Sequence, residues 1–391
     1  MIFQHKINSD HISIYVHWPY CVSKCPYCDF NSHNIEAINE QDWIKAYQNE
    51  FNYFKRILDK KYVKSIFFGG GTPSLMPIKI LEAILNSIAK MAILDDKTEI
   101  TLEANPSSVE QLKFKDIAQL GINRISIGVQ SFNDKSLQFL GRAHSSKEAI
   151  EALSIANKYF KKTSFDLIYA IPNQSLEDWK EELKSAAQYF NGHLSLYQLT
   201  IEKGTKFYKD YNNKEFALPE QNICEEMYLF TDEFLNQHNI RKYEISNYAK
   251  KEEECRHNLT YWNYDNYIGI GPGAHSRFSL ENNEVYAIMM KNAPKTWLES
   301  NLTSLNGIQN SNILTKEEIL TEILMMGLRL TEGIKLLKLE QLVGKNWYDL
   351  LDQKGVKMFT GLCYLEIDSY TIKLSEKGLL LHNYIVPRLI L

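Results

Sequence analysis

The chain has 391 residues, of which 44% are hydrophobic and 12% aromatic, and its formal net charge is −4. This length and apolar content predict one large α/β domain and a smaller one, and they exclude a largely disordered chain. A slightly acidic chain without a long basic run is not expected to bind nucleic acid, because sequence-independent binding needs a basic face.

The N-terminus lacks the apolar segment of a signal peptide, and no stretch approaches the ~20 apolar residues of a membrane-spanning helix. We therefore expect a cytoplasmic protein.

Six short runs rich in β-branched residues predict strands in the first two-thirds of the chain, at 12–17, 62–68, 98–104, 124–129, 163–169 and 193–200. Between them lie segments with apolar residues at helical spacing, such as 43–58 and 78–91. Strand–helix units in a row predict a parallel sheet with right-handed crossovers. We therefore predict a partial (β/α)6 barrel over residues 1–240.

From Arg241 the composition of the sequence changes, and the chain becomes rich in Tyr and Asn. We assign residues 241–313 to an extension of the barrel domain and residues 314–391 to a smaller α+β domain. The smaller domain is predicted to contain a helix at 316–330, shorter helices and a hairpin of strands 364–367 and 370–374. Helices plus a hairpin suggest a winged-helix-like unit, although this shape alone does not imply nucleic-acid binding.

Polar and glycine residues follow the predicted strands where a parallel barrel places its chemistry, at the C-terminal strand ends. Cys21 follows the first strand, 69–72 (GGGT) follow the second, and Glu103 ends the third. Gln130 ends the fourth, and Asp166 lies in the fifth. Five successive strands that deliver such groups predict one site at a common rim.

Three of the six cysteines lie close together, at Cys21, Cys25 and Cys28. Closely spaced thiols in a reducing compartment usually bind metal. Three thiolates can ligate three irons of one cubane cluster and leave the fourth iron open to another molecule. The alternative is a Cys3His zinc site completed by His17 or His33.

The CxxxCxxC loop, together with Tyr15, His17 and Tyr27, resembles the signature of the radical S-adenosylmethionine superfamily. The segment 69–73 (GGGTP) resembles the glycine-rich element of that superfamily, where backbone groups meet the methionine moiety. The resemblance implies a [4Fe–4S] cluster on the three cysteines. It also implies S-adenosylmethionine in contact with Tyr15, Gly70, Gly71 and Thr72.

Similarity then extends over nearly the whole chain, to the oxygen-independent coproporphyrinogen oxidase group. The matching residues are Glu103 in LEANP, Gln130 in GVQSF, Arg142 in LGRAH and Asp166 in DLIY. By this resemblance they contact S-adenosylmethionine, with a carboxylate on its amino group or ribose and Arg142 on its carboxylate. For each residue taken alone, an ordinary polar contact is the alternative.

One position departs from the porphyrinogen-decarboxylating members, which carry a further cysteine where this chain has Phe30. Instead, the HNxxYW string at 257–262 and the YEISN string at 243–247 resemble the HemW branch of haem chaperones. This implies haem as a ligand, with His257 as an axial ligand and with Tyr261 and Trp262 packed on the macrocycle.

The residues themselves leave two alternatives to haem ligation by His257 open. His257 could only cap backbone, or Cys255 or His275 could be the haem ligand instead.

Three functions therefore stay open. The first is a haem chaperone that binds haem, the cluster and S-adenosylmethionine. It needs a haem-acceptor protein and a reductant such as flavodoxin or ferredoxin, with membrane contact only through the acceptor. The second is an oxygen-independent coproporphyrinogen III oxidase, and the third is a zinc-stabilised binding module. The sequence alone leaves open whether the chain is an enzyme.

Overall fold

The computed structural model describes residues 5–390, apart from the side chains of Ser108 and Val109. The strands are β1 His11–Trp18, β2 Tyr20–Cys21, β3 His33–Asn34, β4 Tyr62–Gly70, β5 Glu99–Ala104, β6 Arg124–Gln130, β7 Lys162–Tyr169, β8 Gly192–Gln198, β9 Arg241–Glu244, β10 Asn247–Ala249, β11 Tyr267–Ile270, β12 His275–Ser279, β13 Val285–Met290, β14 Ile308–Ile313, β15 Ile334–Lys335, β16 Leu365–Ile367 and β17 Thr371–Leu374.

The helices are α1 Glu40–Tyr53, α2 Lys55–Leu58, α3 Ile78–Met91, α4 Ser108–Gln111, α5 Phe114–Gln119, α6 Asp134–Phe139, α7 Ser146–Tyr159, α8 Leu176–Ala187, α9 Lys206–Asn212, α10 Gln221–Gln237, α11 Arg256–Trp262, α12 Pro294–Ser304, α13 Lys316–Gly327, α14 Leu336–Val343, α15 Trp347–Leu350, α16 Gln353–Gly361, α17 Glu376–Leu380 and α18 His382–Ile385. Two 3-10 turns lie at Pro73–Leu75 and Val386–Arg388.

Twelve strands form one sheet in the order β14-β13-β12-β11-β1-β4-β5-β6-β7-β8-β10-β9. Neighbouring strands from β11 through β8 are parallel, and the pairs outside this run are antiparallel. All six predicted strands are present, and the predicted α/β class is confirmed. The structure adds the parallel strand β11, which is only four residues long in a glycine-rich stretch and gave no clear strand pattern.

The parallel strands alternate between an apolar and a polar face, since successive side chains point to opposite sides of a sheet. The apolar residues pack beneath the helices as one core, for example Ile14, Phe68, Leu102, Ile127 and Leu167. The other face carries buried polar residues, namely Ser13, Ser65, Thr101, Arg124, Ser126 and His193, and the half-buried Asp166. This polar inner face leads up to the rim where the candidate site lies.

The predicted helix 78–91 has the same bounds as α3. The segment 43–58 forms two helices, α1 and α2, interrupted at Phe54. Helix α1 begins at Glu40 because the Asn39 side chain accepts hydrogen bonds from the Gln41 and Asp42 amides, at 3.1 and 3.5 Å.

From Arg241 onwards the chain stays within the large sheet, to which it adds β9 to β14. Residues of this segment, such as Ile268, Phe278 and Ile288, belong to the same hydrophobic core as β1. The domain boundaries at 240 and 313 stay a prediction.

The C-terminal residues form a second core beside a small sheet of β15, β17 and β16. The predicted hairpin is present as β16 and β17, and the predicted helix is present as α13. Over the described residues, no helix is both long and apolar enough to cross a membrane.

Candidate functional site

Cys21 ends β2, and Cys25 and Cys28 lie on the loop that connects β2 to β3. These two short strands pair in parallel. Backbone bonds from His33 to Pro19 (2.7 Å) and from Ile35 to Cys21 (2.9 Å) close the base of the loop. A tight turn, in which the Cys28 amide donates to the Cys25 carbonyl at 3.1 Å, spaces the last two thiols. The loop therefore holds three thiols beside the C-terminal ends of the parallel strands, as the sequence predicts.

Each thiol has a polar side chain beside it. The Thr72 hydroxyl donates to Cys21 Sγ at 3.3 Å, and Arg142 Nη1 donates to Cys25 Sγ at 3.3 Å. Cys28 Sγ lies 3.8 Å from the Ser32 hydroxyl. Burial nevertheless raises the pKa of Cys21 and of Cys28. Bound iron would supply the positive charge that such thiolates need, so the donor set fits an iron–sulfur cluster.

The histidines that could complete a zinc site are engaged elsewhere. His17 Nδ1 pairs with the Tyr15 hydroxyl at 3.0 Å, and Nε2 pairs with the Asn31 carbonyl at 2.9 Å. His33 Nε2 pairs with Asn31 Oδ1 at 3.1 Å. Within the described part of the chain, no three His, Cys, Asp or Glu side chains converge on a single ion site. A cubane cluster instead distributes its ligands over separate irons.

A cavity of about 900 Å³ opens beside the cysteine loop. Its volume lies in the upper part of the range for small-molecule sites, about 300–1,000 Å³. The predicted site residues that line it are Cys21, Cys25, Cys28, Gly70, Gly71, Thr72, Glu103, Gln130, Arg142 and Asp166. Tyr15 does not line it, because its ring packs beside Gly69 and 6.2 Å from the His257 ring.

The glycines after β4 are required by packing. Gly70 has φ +110°, and a Cβ on it would lie 2.4 Å from His17 Cε1. A Cβ on Gly71 would lie 2.7 Å from the Tyr20 carbonyl oxygen. These contacts explain the glycines without any ligand. The predicted contact between this turn and S-adenosylmethionine stays a prediction.

Glu103 and Asp166 are neighbouring, half-buried carboxyl groups on the parallel strands β5 and β7. The Gly70 amide donates to Glu103 Oε2 at 3.3 Å, and the Ser126 hydroxyl donates to Asp166 Oδ1 at 3.5 Å. Burial, reinforced by the Asp166 charge, raises the pKa of Glu103 to about 8. Burial also raises the pKa of Asp166 to about 6. The pair therefore keeps a proton at neutral pH, and a bound cation would favour its release.

Gln130 and Arg142 close the rim between the carboxylates and the cysteine loop. Gln130 ends β6 with φ +70°, at a register shift against β7. Besides Cys25, the Arg142 guanidinium bonds the Gly128 carbonyl at 2.9 Å and the Asn105 side chain. It is thus directed at the cysteine loop and the strand ends. Its predicted fork onto a ligand carboxylate stays a prediction.

The HNxxYW string forms helix α11, which packs against the polar inner face of the sheet. His257 is 1% exposed, and its Nδ1 and Nε2 bond Ser65 Oγ and the Tyr261 hydroxyl, both at 2.8 Å. Its ring stacks on Phe67 with centroids 5.0 Å apart. Burial lowers the pKa of His257 to about 3, so the imidazole is neutral.

The structure does not bring the predicted haem residues to the cavity. Neither His257 nor Tyr261 nor Trp262 is among the described cavity-lining residues. Haem ligation by His257 would require both of its hydrogen bonds to break, and it stays a prediction. Of the two alternative ligands, Cys255 is fully buried and burial raises its pKa to about 11, while His275 is exposed on β12.

We predict that His257→Ala destabilises the fold by about 2–4 kcal/mol, because it removes two buried hydrogen bonds and a stacked ring. Thermal or denaturant unfolding of the variant measures this loss. His238→Ala is the matched control, since His238 is exposed at the end of α10. An unchanged free energy of unfolding in His257→Ala would contradict the assigned packing role.

The opposite wall of the cavity was missed by sequence reasoning. It comes from 379–384, from Arg329 and from Cys224 and Tyr228 on α10. No motif marks these residues. Their only sequence signal is a histidine and an arginine in otherwise apolar segments, and their convergence depends on docking of the C-terminal unit on the barrel.

Comparison with known proteins agrees with this architecture. Residues 15–186 match the family model of the Radical SAM superfamily, and residues 314–381 match that of the HemN C-terminal domain. Among solved structures, coproporphyrinogen III oxidase (HemN) from Escherichia coli superposes with a TM-score of 0.80. The superposition covers 96% of this chain and 89% of that chain at 19% sequence identity, so it supports the fold alone.

Relatives with higher identity cover most of the chain. Radical S-adenosyl methionine domain-containing protein 1, mitochondrial, from Danio rerio is 33% identical over 392 residues, covering 97% of this chain and 87% of that protein. The heme chaperone HemW from Haemophilus influenzae is 40% identical over 293 residues, covering 73% of this chain and 76% of that protein. The chain therefore belongs to the radical SAM superfamily, in the family that includes these two proteins.

Proposed function

We propose that this chain is a haem chaperone that binds haem, a [4Fe–4S] cluster and S-adenosylmethionine, and passes haem to an acceptor protein. The observation that carries the proposal is the cavity of about 900 Å³, which is lined on one side by the cysteine loop and on the other by the C-terminal unit. Such a space admits a ligand larger than S-adenosylmethionine beside the cluster position. The relationship to proteins named heme chaperone HemW supports haem as that ligand.

Membership in the superfamily implies the cluster and S-adenosylmethionine. Cys21, Cys25 and Cys28 are the residues that would hold the cluster, and the Thr72 and Arg142 bonds orient two of the sulfurs. The bound cluster supplies one-electron chemistry to S-adenosylmethionine. The half-buried carboxylates Glu103 and Asp166 would attract its positive charges.

The alternative function is an oxygen-independent coproporphyrinogen III oxidase. Phe30 weighs against it, because this position carries a further cysteine in the decarboxylating members. Phe30 is 59% exposed and lines the cavity next to the cysteine loop. Its ring offers neither a thiol nor a hydrogen-bond donor, so any reaction step that uses that cysteine would be lost.

The acceptor protein and a reductant such as flavodoxin or ferredoxin belong to this proposal, and their identities are open. The predicted cytoplasmic location is likewise part of it. Some relatives are named as mitochondrial proteins, so the compartment differs within the family.

We expect the anaerobically purified, cluster-loaded protein to bind about one haem per chain and to release it to apomyoglobin. It should convert no coproporphyrinogen III to protoporphyrinogen IX under reducing conditions. Absorption spectra report binding and transfer, and chromatography of porphyrins reports conversion. Conversion accompanied by S-adenosylmethionine cleavage would favour the oxidase instead. Failure to take up haem would reject the chaperone.

A further inference from the structure

The C-terminal segment supplies one histidine to the cavity. His382, at the start of α18, is the only histidine among the described residues that line it. The neighbouring residues Leu379, Leu380, Leu381 and Tyr384 line the same wall. This wall is mainly apolar, and the cysteine loop lines the same cavity. An apolar surface with one metal-binding side chain is what a macrocycle with a central metal ion needs for binding.

His382 has an unsatisfied ring nitrogen. The residue is 7% exposed, and its Nδ1 pairs with Asn383 Oδ1 at 3.2 Å. Its Nε2 is buried and makes no hydrogen bond of normal geometry with any described residue, although the Met325 backbone lies close enough to act on the imidazole. A buried polar atom without a partner costs about 1–3 kcal/mol, so it calls for an explanation. Burial lowers the pKa of His382, which favours the neutral imidazole that binds metals.

Arg329 places a positive charge on the same wall. Its Nε and Nη2 bond the buried Glu244 carboxylate at 3.2 and 2.9 Å, and its guanidinium lies 4.6 Å from the Trp262 ring centroid. Glu244 and Trp262 thus hold the guanidinium in place at the cavity. An arginine fixed in this way suits a carboxylate group of a ligand.

We propose that haem binds against this C-terminal wall, with His382 Nε2 as an axial ligand and Arg329 beside a propionate. The inference rests on the proposed chaperone function and assigns the haem ligand to a residue outside the HNxxYW string. His382 lines the cavity and its Nε2 makes no hydrogen bond of normal geometry with a described residue, whereas both nitrogens of His257, which is not among the described lining residues, bond to protein groups.

The first test is anaerobic haem titration of the cluster-loaded protein, followed by its Soret and visible absorption. In His382→Ala we expect the spectrum of histidine-ligated haem to be lost and the affinity to fall about 10- to 100-fold. Added imidazole should restore the spectrum, because the deleted ring leaves room for it. His238→Ala, which removes an exposed histidine, should behave as wild type.

The outcomes separate the inference from the proposed function. If the wild-type protein takes up no haem, the chaperone proposal fails together with the inference. If the wild type shows a histidine-ligated spectrum that His382→Ala retains, the inference alone is overturned, and His257 becomes the candidate. Iron content and thermal unfolding of each variant identify any loss caused by misfolding.

The second test examines the role of Arg329 by comparing two ligands that differ in their negative charge. Wild type should bind haem about 10-fold or more tightly than haem dimethyl ester, which lacks the propionate charges. A Glu244→Gln/Arg329→Gln double variant removes both charges of this ion pair together, so it avoids an unpaired, buried Glu244. This variant should bind the two ligands about equally. A preference for haem that survives in the double variant would overturn the role of Arg329.

Discussion

Cys25→Ser is expected to abolish cluster binding, so that anaerobically reconstituted protein retains less than about a tenth of the wild-type iron and sulfide. Cys25 is the middle cysteine of the CxxxCxxC loop, and its sulfur accepts a hydrogen bond from Arg142 at 3.3 Å. Serine provides a hard oxygen in place of the soft thiolate that holds iron–sulfur clusters. The loss should therefore be nearly complete.

The matched control is Cys224→Ser, because Cys224 lines the same cavity but sits on α10, outside the cysteine loop. Its thiol donates a hydrogen bond to the Pro219 carbonyl at 3.7 Å. This variant should keep full iron content. Stoichiometric zinc with little iron in wild type would favour the zinc-stabilised module instead. Loss of iron in both variants would point to general unfolding.

Sequence reasoning found the barrel strands and the cysteine loop because both depend on local patterns. Alternation along β1 and β4 to β8 separates an apolar outer face from a polar inner face, and the polar strand ends mark the rim. The CxxxCxxC spacing needs only eight consecutive residues. These parts of the site could be predicted without knowledge of what packs against them.

The location of the HNxxYW string could not be predicted in the same way. The burial of His257 depends on Ser65 and Phe67, which lie about 190 residues earlier in the chain. The wall with His382 depends on how the C-terminal unit docks. The burial of His257 and the position of His382 both arise from tertiary packing, which a short sequence motif does not predict.

Helix α11 nevertheless connects to the cavity through its end. Trp262 stacks on Arg329, which lines the cavity and pairs with Glu244 of the YEISN string. At the other end, the Arg256 amide bonds Glu99 in β5 at 2.9 Å. The two strings that resemble HemW thus meet at the seam between the barrel and the C-terminal wall. The two strings can therefore position Arg329 at the cavity through Trp262 and Glu244, although His257 itself does not line the cavity.

The apparent affinity for S-adenosylmethionine is expected to increase as the pH rises from about 6 to 8. The ligand carries sulfonium and ammonium charges, whereas Glu103, with a pKa of about 8, is mostly protonated at neutral pH without it. Cation binding favours the ionised carboxylate, so a proton must leave on binding. Calorimetry in buffers of different ionisation enthalpy measures that release.

Glu103→Gln should bind S-adenosylmethionine roughly 10- to 100-fold more weakly at pH 8.5, with a smaller deficit at pH 6.5 and little proton release.

The stability of the protein without ligand should depend on pH in the opposite direction to the ligand affinity. Because native Glu103 binds its proton up to about pH 8 and the unfolded chain loses it near pH 4.5, the wild type loses stability as pH rises between these values. Glu103→Gln should remove roughly 1–3 kcal/mol of that loss of stability.

The control for ligand affinity is Glu182→Gln. It alters a buried carboxylate that bonds the Phe132 amide and is not among the described cavity-lining residues, and it should leave ligand affinity unchanged. Equal ligand affinity in wild type and Glu103→Gln at both pH values would remove Glu103 from the binding site.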